Sequence, residues 1–177
     1  MLMSPPTRKV VLTTHVATSV GWLGAVLAYL ALDITATNSE IVDTVRGAYS
    51  AMEVTVLYVI VPLALASVII GIVNALGTPW GLFRHYWVLV KLLLTVFATT
   101  ILLVETSTVS YLAQAATSDA DPRELPGTMP HSIGGLVVLL IVVVLSVFKP
   151  RGVTTYGWRK QDEQRRSKRT RSAEPIR

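Results

Sequence analysis

The chain has 177 residues, 51% hydrophobic and only 15% charged, with mean hydropathy +0.53 and net charge +5. A soluble globular domain carries about a quarter of its residues as charges, so the composition excludes that class and describes a membrane protein. The absence of cysteine excludes disulfides, thiolate metal sites and thiol catalysis.

Apolar residues gather in four blocks, 10–32, 52–76, 86–106 and 131–148. Each is near the ~20 residues that cross ~30 Å of hydrocarbon as a helix. Lipid offers no partner to the edge groups of open strands, and barrel strands are about half this length, so the blocks predict an all-α bundle of four transmembrane helices. Residues 1–9 form an N-terminal arm, 10–148 the transmembrane domain and 149–177 a basic tail. The first block, with Arg8 and Lys9 before it, is too long for a signal-peptide core and reads as a retained helix.

Lys and Arg in short loops stay cytoplasmic. Arg8 and Lys9 precede the first helix, Arg84 lies between the second and third, and Lys149 and Arg151 follow the fourth. The other two loops hold Asp33, Glu40, Asp43 and Arg46, then Asp119, Asp121, Arg123 and Glu124, each set netting −2 from three acids and one base. An even number of spans with both termini cytoplasmic satisfies every loop.

Within the first helix, Thr14, Ala17, Thr18, Gly21, Gly24, Ala25 and Ala28 form a stripe of small residues, the expected packing face. The second repeats the device with Ala64, Ser67, Gly71 and Asn74, and Pro62 predicts a kink near its middle. In the turn that follows, Gly77, Pro79 and Gly81 punctuate, while Trp80, Phe83, Tyr86 and Trp87 supply rings suited to the headgroup level. Arg84 and His85 there are candidates to hold an anionic headgroup or a cofactor carboxylate. The third helix aligns Lys91, Thr95, Ala98, Leu102 and Glu105 on one face, with its base and acid roughly 21 Å apart. Ionisable residues within spans are candidates for function or for snorkelling to the interface.

The second outer loop, 107–130, ends in "DPRELPGTMP", after which His131 opens the fourth helix and Gly134 and Gly135 admit close approach by a helix or a flat ligand. Beyond it the tail carries ten Lys or Arg against three Asp or Glu, a net of +7 with little aliphatic periodicity. It reads as disordered and held against anionic lipid headgroups, each base near the surface contributing about 1 kcal/mol; no nucleic-acid-binding fold accompanies it.

No Ser-His-Asp order, Walker loop, dinucleotide fingerprint or HExxH motif is present, which reads against an enzyme. The candidates for chemistry are His15, His85 and His131. One reading is a b-type haem, a common cofactor of small membrane bundles, with Arg84 and Lys91 neutralising propionates and Gly134 and Gly135 beside the outer histidine. His15 and His131 lie roughly 20 Å apart along the membrane normal, whereas two axial nitrogens on one iron lie about 4 Å apart. The reading therefore needs one site per leaflet, with His15 and His85 inside and His131 outside, or a site shared across a homodimer. A second is a soft-metal site for Cu(I) from His131, Met129 and Met52. A third is a cofactor-free structural or interaction module whose histidines hydrogen-bond within the bundle or sit at headgroups.

The strings "GTPWGLFRHYWVLVKLLLT", "HVATSVGWLGAVLAYLAL" and "HSIGGLVVLLIVVVLSVFKPRGVTTYGW" resemble a family of bacterial four-helix integral membrane proteins over Val10 to Trp158. The resemblance implies a topology and a multi-pass location in the bacterial inner membrane; it carries no activity. "TPWGLF" followed by "LVKLLLT", with His15 and "GWLG" in the first helix, is similar to the copper-resistance D type of membrane domain, which implies a copper role.

Overall fold

The structure, a computed structural model, describes residues 3–78, 81–118, 121–150 and 152–173, and side chains as far as residue 166. Pro79, Trp80, Asp119 and Arg151 lie outside the described residues. The described residues are helical, apart from turns and a single antiparallel bridge between His85 and Val153.

Helix α1 is Pro5–Asn38. Helices α2 (Val42–Thr55) and α3 (Val61–Leu76) run on through one π turn, Val56–Ile60. Helix α4 is Tyr86–Ala116, α5 is Met129–Phe148 and α6 is Thr155–Ala173. The first four of these runs, taking α2–α3 as one, are long and apolar enough to cross a membrane. The chain is thus a membrane-type helical bundle.

The helices are unequal. At 1.5 Å per residue the 20 residues of α5 cover about 30 Å, the hydrocarbon thickness, while the 34, 35 and 31 residues of α1, α2–α3 and α4 overrun it by about 16–22 Å. All four start or finish level at one end, where Met3 N–H donates to Gly77 O (3.2 Å) and Tyr86 N–H to Gly152 O (3.3 Å). The excess therefore projects at the other end as a cap made from the C-terminal part of α1, α2 and the last turns of α4. Two segments expected as polar loops are corrected accordingly: most of Asp33 to Arg46 and half of 107–130 is helix, leaving 39–41 and 117–128 as connections.

The cap is where packing is tightest, since Val45, Tyr49, Met52, Leu112, Pro122 and Asp33 are the largest side chains with almost no exposure. Lipid accepts apolar side chains as readily as a core does, so only the part beyond the bilayer has a hydrophobic drive to close on itself. Arg46 ties α2 to the end of α4 through Ala116 O (3.1 Å) and Ser118 O (3.3 Å). In the surface turn beyond, the Arg123 guanidinium beside Asp121 (2.6 Å) holds that carboxyl down to about 2.

The same property of lipid corrects part of the expected packing face of α1, of which Gly21 does meet Leu63 (3.4 Å) and Ala25 does pack on the core. Thr14, Ala17, Gly24 and Ala28 are exposed, while the face turned inward is His15, Ser19, Trp22, Val26, Tyr29, Asp33 and Ala36, spaced 4-3-4-3-4-3. Apolar side chains such as Val16, Val20 and Leu27 lose nothing by facing hydrocarbon, while His15, Ser19, Asp33 and the aromatic Trp22 and Tyr29 are turned inward. On α3 the expected stripe does meet α1: Ser67 Oγ lies 2.7 Å from Ser19 Oγ, and a Cβ on Gly71 would fall 2.9 Å from His15 Cε1. Pro62 has no N–H to give to Tyr58 O and its ring would crowd that carbonyl; the wider π turn directly before it takes up the misfit.

Residues from Thr155 form a helix, which differs from the disordered tail expected of the composition. Its start is fixed: Thr154 Oγ1 donates to Phe83 O (2.5 Å) and caps the first turn by accepting from Gly157 N–H (3.1 Å). A side chain on Gly157 would overlap the Arg84 carbonyl, so the glycine permits this docking. Lys160–Glu163 (2.9 Å) and Asp162–Arg166 (3.0 Å) pairs then support an otherwise exposed helix, as spacings of three and four do.

Candidate functional site

Below the cap, α1, the π turn, α4 and α5 enclose a cavity of about 330 Å³. Its floor is Trp22, Val26 and Tyr29 of α1 with Val56 and Ile60 of the π turn, all buried. Its exposed lining, Phe97 and Ile101 on α4 and Pro130, His131 and Gly134 on α5, marks a mouth between those two helices. Gly134 and Gly135 both line it, and a Cβ built on either meets nothing within 4 Å. The space beside α5 is therefore real room and not a gap that side chains close. The π turn that accommodates Pro62 thus also shapes the cavity floor.

Polar groups gather at the cap end of this apolar chamber. His131 Nε2 lies 3.4 Å from Glu105 Oε1 across the mouth, with side chains 52% and 21% exposed. The acid of the α4 stripe thus has a partner on α5. Deeper in, Asp33 is fully buried and its carboxylate accepts three hydrogen bonds: Thr128 N–H (3.1 Å), Thr128 Oγ1–H (2.9 Å) and Ser132 Oγ–H (2.8 Å). Tyr29 Oη lies 2.8 Å from Thr128 Oγ1. Tyr29, Thr128 and Ser132 all line the cavity.

Local sequence explains this node. Thr128 is the residue that caps α5, so its N–H is among the donors a helix start leaves without an internal partner, and an anion there is favoured by the helix dipole. Gly127 lets the loop approach α1, since a Cβ would fall 3.0 Å from Thr37 Cγ2 and 3.5 Å from Asp33 Oδ1. Pro130, in the first turn, has no N–H to satisfy. "PGTMPHS" is thereby a helix start built to receive a buried carboxylate.

The structure divides the expected site residues between the two ends of the bundle. His131, Gly134 and Gly135 share the cavity, with Glu105 added. In the other half, His15 lies against Gly71 with its buried Nδ1 lacking a hydrogen-bond partner, and Lys91 Nζ reaches Ser146 Oγ (3.3 Å) and stands 5.6 Å above the Trp87 ring. His85, 6.5 Å from Trp87 between ring centres, and Arg84 belong to the turn against which Val153 and Thr154 dock. Met52, 1% exposed, is sealed in the cap core, and neither it nor Met129 lines the cavity that His131 borders. Asp33, Tyr29, Thr128 and Ser132 were not expected as site residues. The signal for the first two was the 4-3 spacing from His15 to Ala36, which puts Tyr29 and Asp33 on the large-residue face.

No protein-family model, curated protein or solved structure matches the chain.

Removing the Asp33 carboxylate leaves buried donors without a partner, at about 1–3 kcal/mol for each group that finds no substitute. Asp33→Ala is expected to lower stability by about 2–4 kcal/mol, and Tyr29→Phe by about 1 kcal/mol, in reversible unfolding in detergent micelles. Equal, small effects of the two changes would show that Asp33 is not the node.

Proposed function

We propose that the chain is a multi-pass protein of the bacterial inner membrane, with both termini cytoplasmic and the cap outside, that binds a flat, neutral, lipid-soluble molecule in the cavity beneath the cap. One observation carries the reading: an apolar chamber of about 330 Å³, within the usual ligand-pocket range, opens between two membrane-spanning helices and has convergent polar groups at one end only. A ring slides along Gly134 and Gly135 with its head toward Glu105 and His131, and any tail leaves through the mouth into lipid. The charge pattern of the connections supports the orientation, and the +7 segment from Lys149 onward suits an anionic cytoplasmic leaflet.

A b-type haem is the second reading, favoured by the His131 nitrogen beside the open glycine face. Against it stands the lining, which among the described residues contains Glu105 but no Lys or Arg to offset two propionates; Arg84 and Lys91 are at the other end. Copper bound by His131, Met129 and Met52 is weaker, because Met52 is held in the core.

The chain has no native cysteine, so single cysteines at Glu40 and Glu124 report sidedness cleanly. Both are expected to react with an impermeant maleimide from the periplasmic side; reaction only from the cytoplasmic side overturns the topology. For the ligand, protein extracted directly into native nanodiscs is compared with Gly134→Leu/Gly135→Leu, which fills the cavity. Mass spectrometry of organic extracts is expected to show a ring-bearing lipid enriched in the wild type and lost in the variant. Identical extracts contradict the reading, and a Soret band that disappears with His131→Ala moves the assignment to haem.

A further inference from the structure

Every hydroxyl at the polar end of the cavity has already spent its proton. The Asp33 carboxyl oxygens accept three hydrogen bonds, and Thr128 Oγ1–H is one of the donors (2.9 Å). Thr128 Oγ1 can then only accept from its other neighbour, which makes Tyr29 the donor across their 2.8 Å contact. Ser132 Oγ–H is shared between Asp33 (2.8 Å) and Met129 O (3.1 Å), both acceptors. At the mouth, His131 Nε2 faces a Glu105 oxygen at 3.4 Å. The buried charge of Asp33 thus polarises the chain Tyr29→Thr128→Asp33 in one direction. Whichever of these oxygens meets an occupant offers it a lone pair.

We propose that the cavity selects a head group that donates hydrogen bonds, a phenol or an alcohol, over one that only accepts, such as a ketone, quinone or ether; this rests on the cavity being a ligand site. The discrimination follows from the cost of polar mismatch. Set against these oxygens, an acceptor-only head leaves their lone pairs facing its own, at the end of the cavity where Tyr29, Thr128 and Ser132 are buried. A donor head completes them. Asp33 acts here as a positioning residue, since it reaches the cavity only through Thr128 and Ser132.

The probes are 4-nonylphenol and its methyl ether 4-nonylanisole, which share ring and tail and differ in the donated proton. Binding is read by quenching of Trp22, on the cavity floor, in the full chain with Trp80, Trp87 and Trp158 replaced by Phe. The phenol is expected to bind more than about tenfold tighter than the ether. In Asp33→Asn the amide can donate to Thr128 and Ser132, which frees their protons, turns the Tyr29 hydroxyl outward and reduces the ratio to about one or below. Thr128→Val, nearly the same shape and with its backbone N–H still bound to Asp33, removes the acceptor of the Tyr29 proton and is expected to reduce the ratio several-fold. It serves if the Asn variant does not fold, and a merely structural role for the node would lower both affinities together. Equal binding of the two probes to the wild type, or an unchanged ratio in both variants, overturns the proposal while leaving the cavity a ligand site. Binding of neither probe overturns the ligand site itself.

Discussion

A carboxyl group with no exposure and, among the described residues, no salt bridge is the constraint from which the cap end of this protein takes its form. Leaving Asp33 without compensation would cost several kcal/mol, more than most single contacts in a membrane bundle return. The chain supplies compensation from one place, the start of α5, through a backbone N–H and two hydroxyls. To deliver them, α5 must begin at the level of Asp33, with α1 continuing to Asn38 and α4 to Ala116 beyond it. The level at which α5 begins and the glycine before it follow from this one buried group.

The division into cap and span follows from two solvents. In the cap, Val45, Tyr49, Met52, Leu112 and Ala116 form a core of nearly complete burial, as the hydrophobic drive of water favours. Within the span, large apolar residues such as Leu93, Val104, Val144 and Val147 face outward, as lipid permits. What holds the span together is close approach and polar pairing: Gly21 against Leu63 (3.4 Å), Ser19 with Ser67 and Lys91 with Ser146. A cavity survives under the cap because no hydrophobic drive below that level compels α4 and α5 to close on it.

Much of the architecture was legible as composition. Four apolar blocks mark four helices, since hydrocarbon thickness sets their minimum length whatever the fold. The helix ends were misplaced because hydropathy reports lipid contact: polar stretches such as 107–116 and 42–51 read as loops although helix propensity and cap packing keep them helical. Part of the packing face of α1 was misread for a related reason. A small-residue stripe signals close approach only where a neighbour lies over it, and Gly24 has nothing within 4 Å. The 4-3 spacing of His15, Ser19, Trp22, Val26, Tyr29, Asp33 and Ala36 contained the correct face. His131, Gly134 and Gly135 were identifiable as rare residues at a helix start. That Glu105 meets His131, and that Asp33 meets Thr128 and Ser132 across 95 and 99 positions, depends on tertiary register, which residue type and spacing do not encode.

The central claim is that Asp33 and the start of α5 stabilise the protein as one unit. A double-mutant cycle of Asp33→Ala and Ser132→Ala, with unfolding free energies measured in bicelles, tests it most directly. A coupling energy of about 1 kcal/mol or more is expected of a buried charged hydrogen bond. Effects that add to within about 0.5 kcal/mol would contradict it.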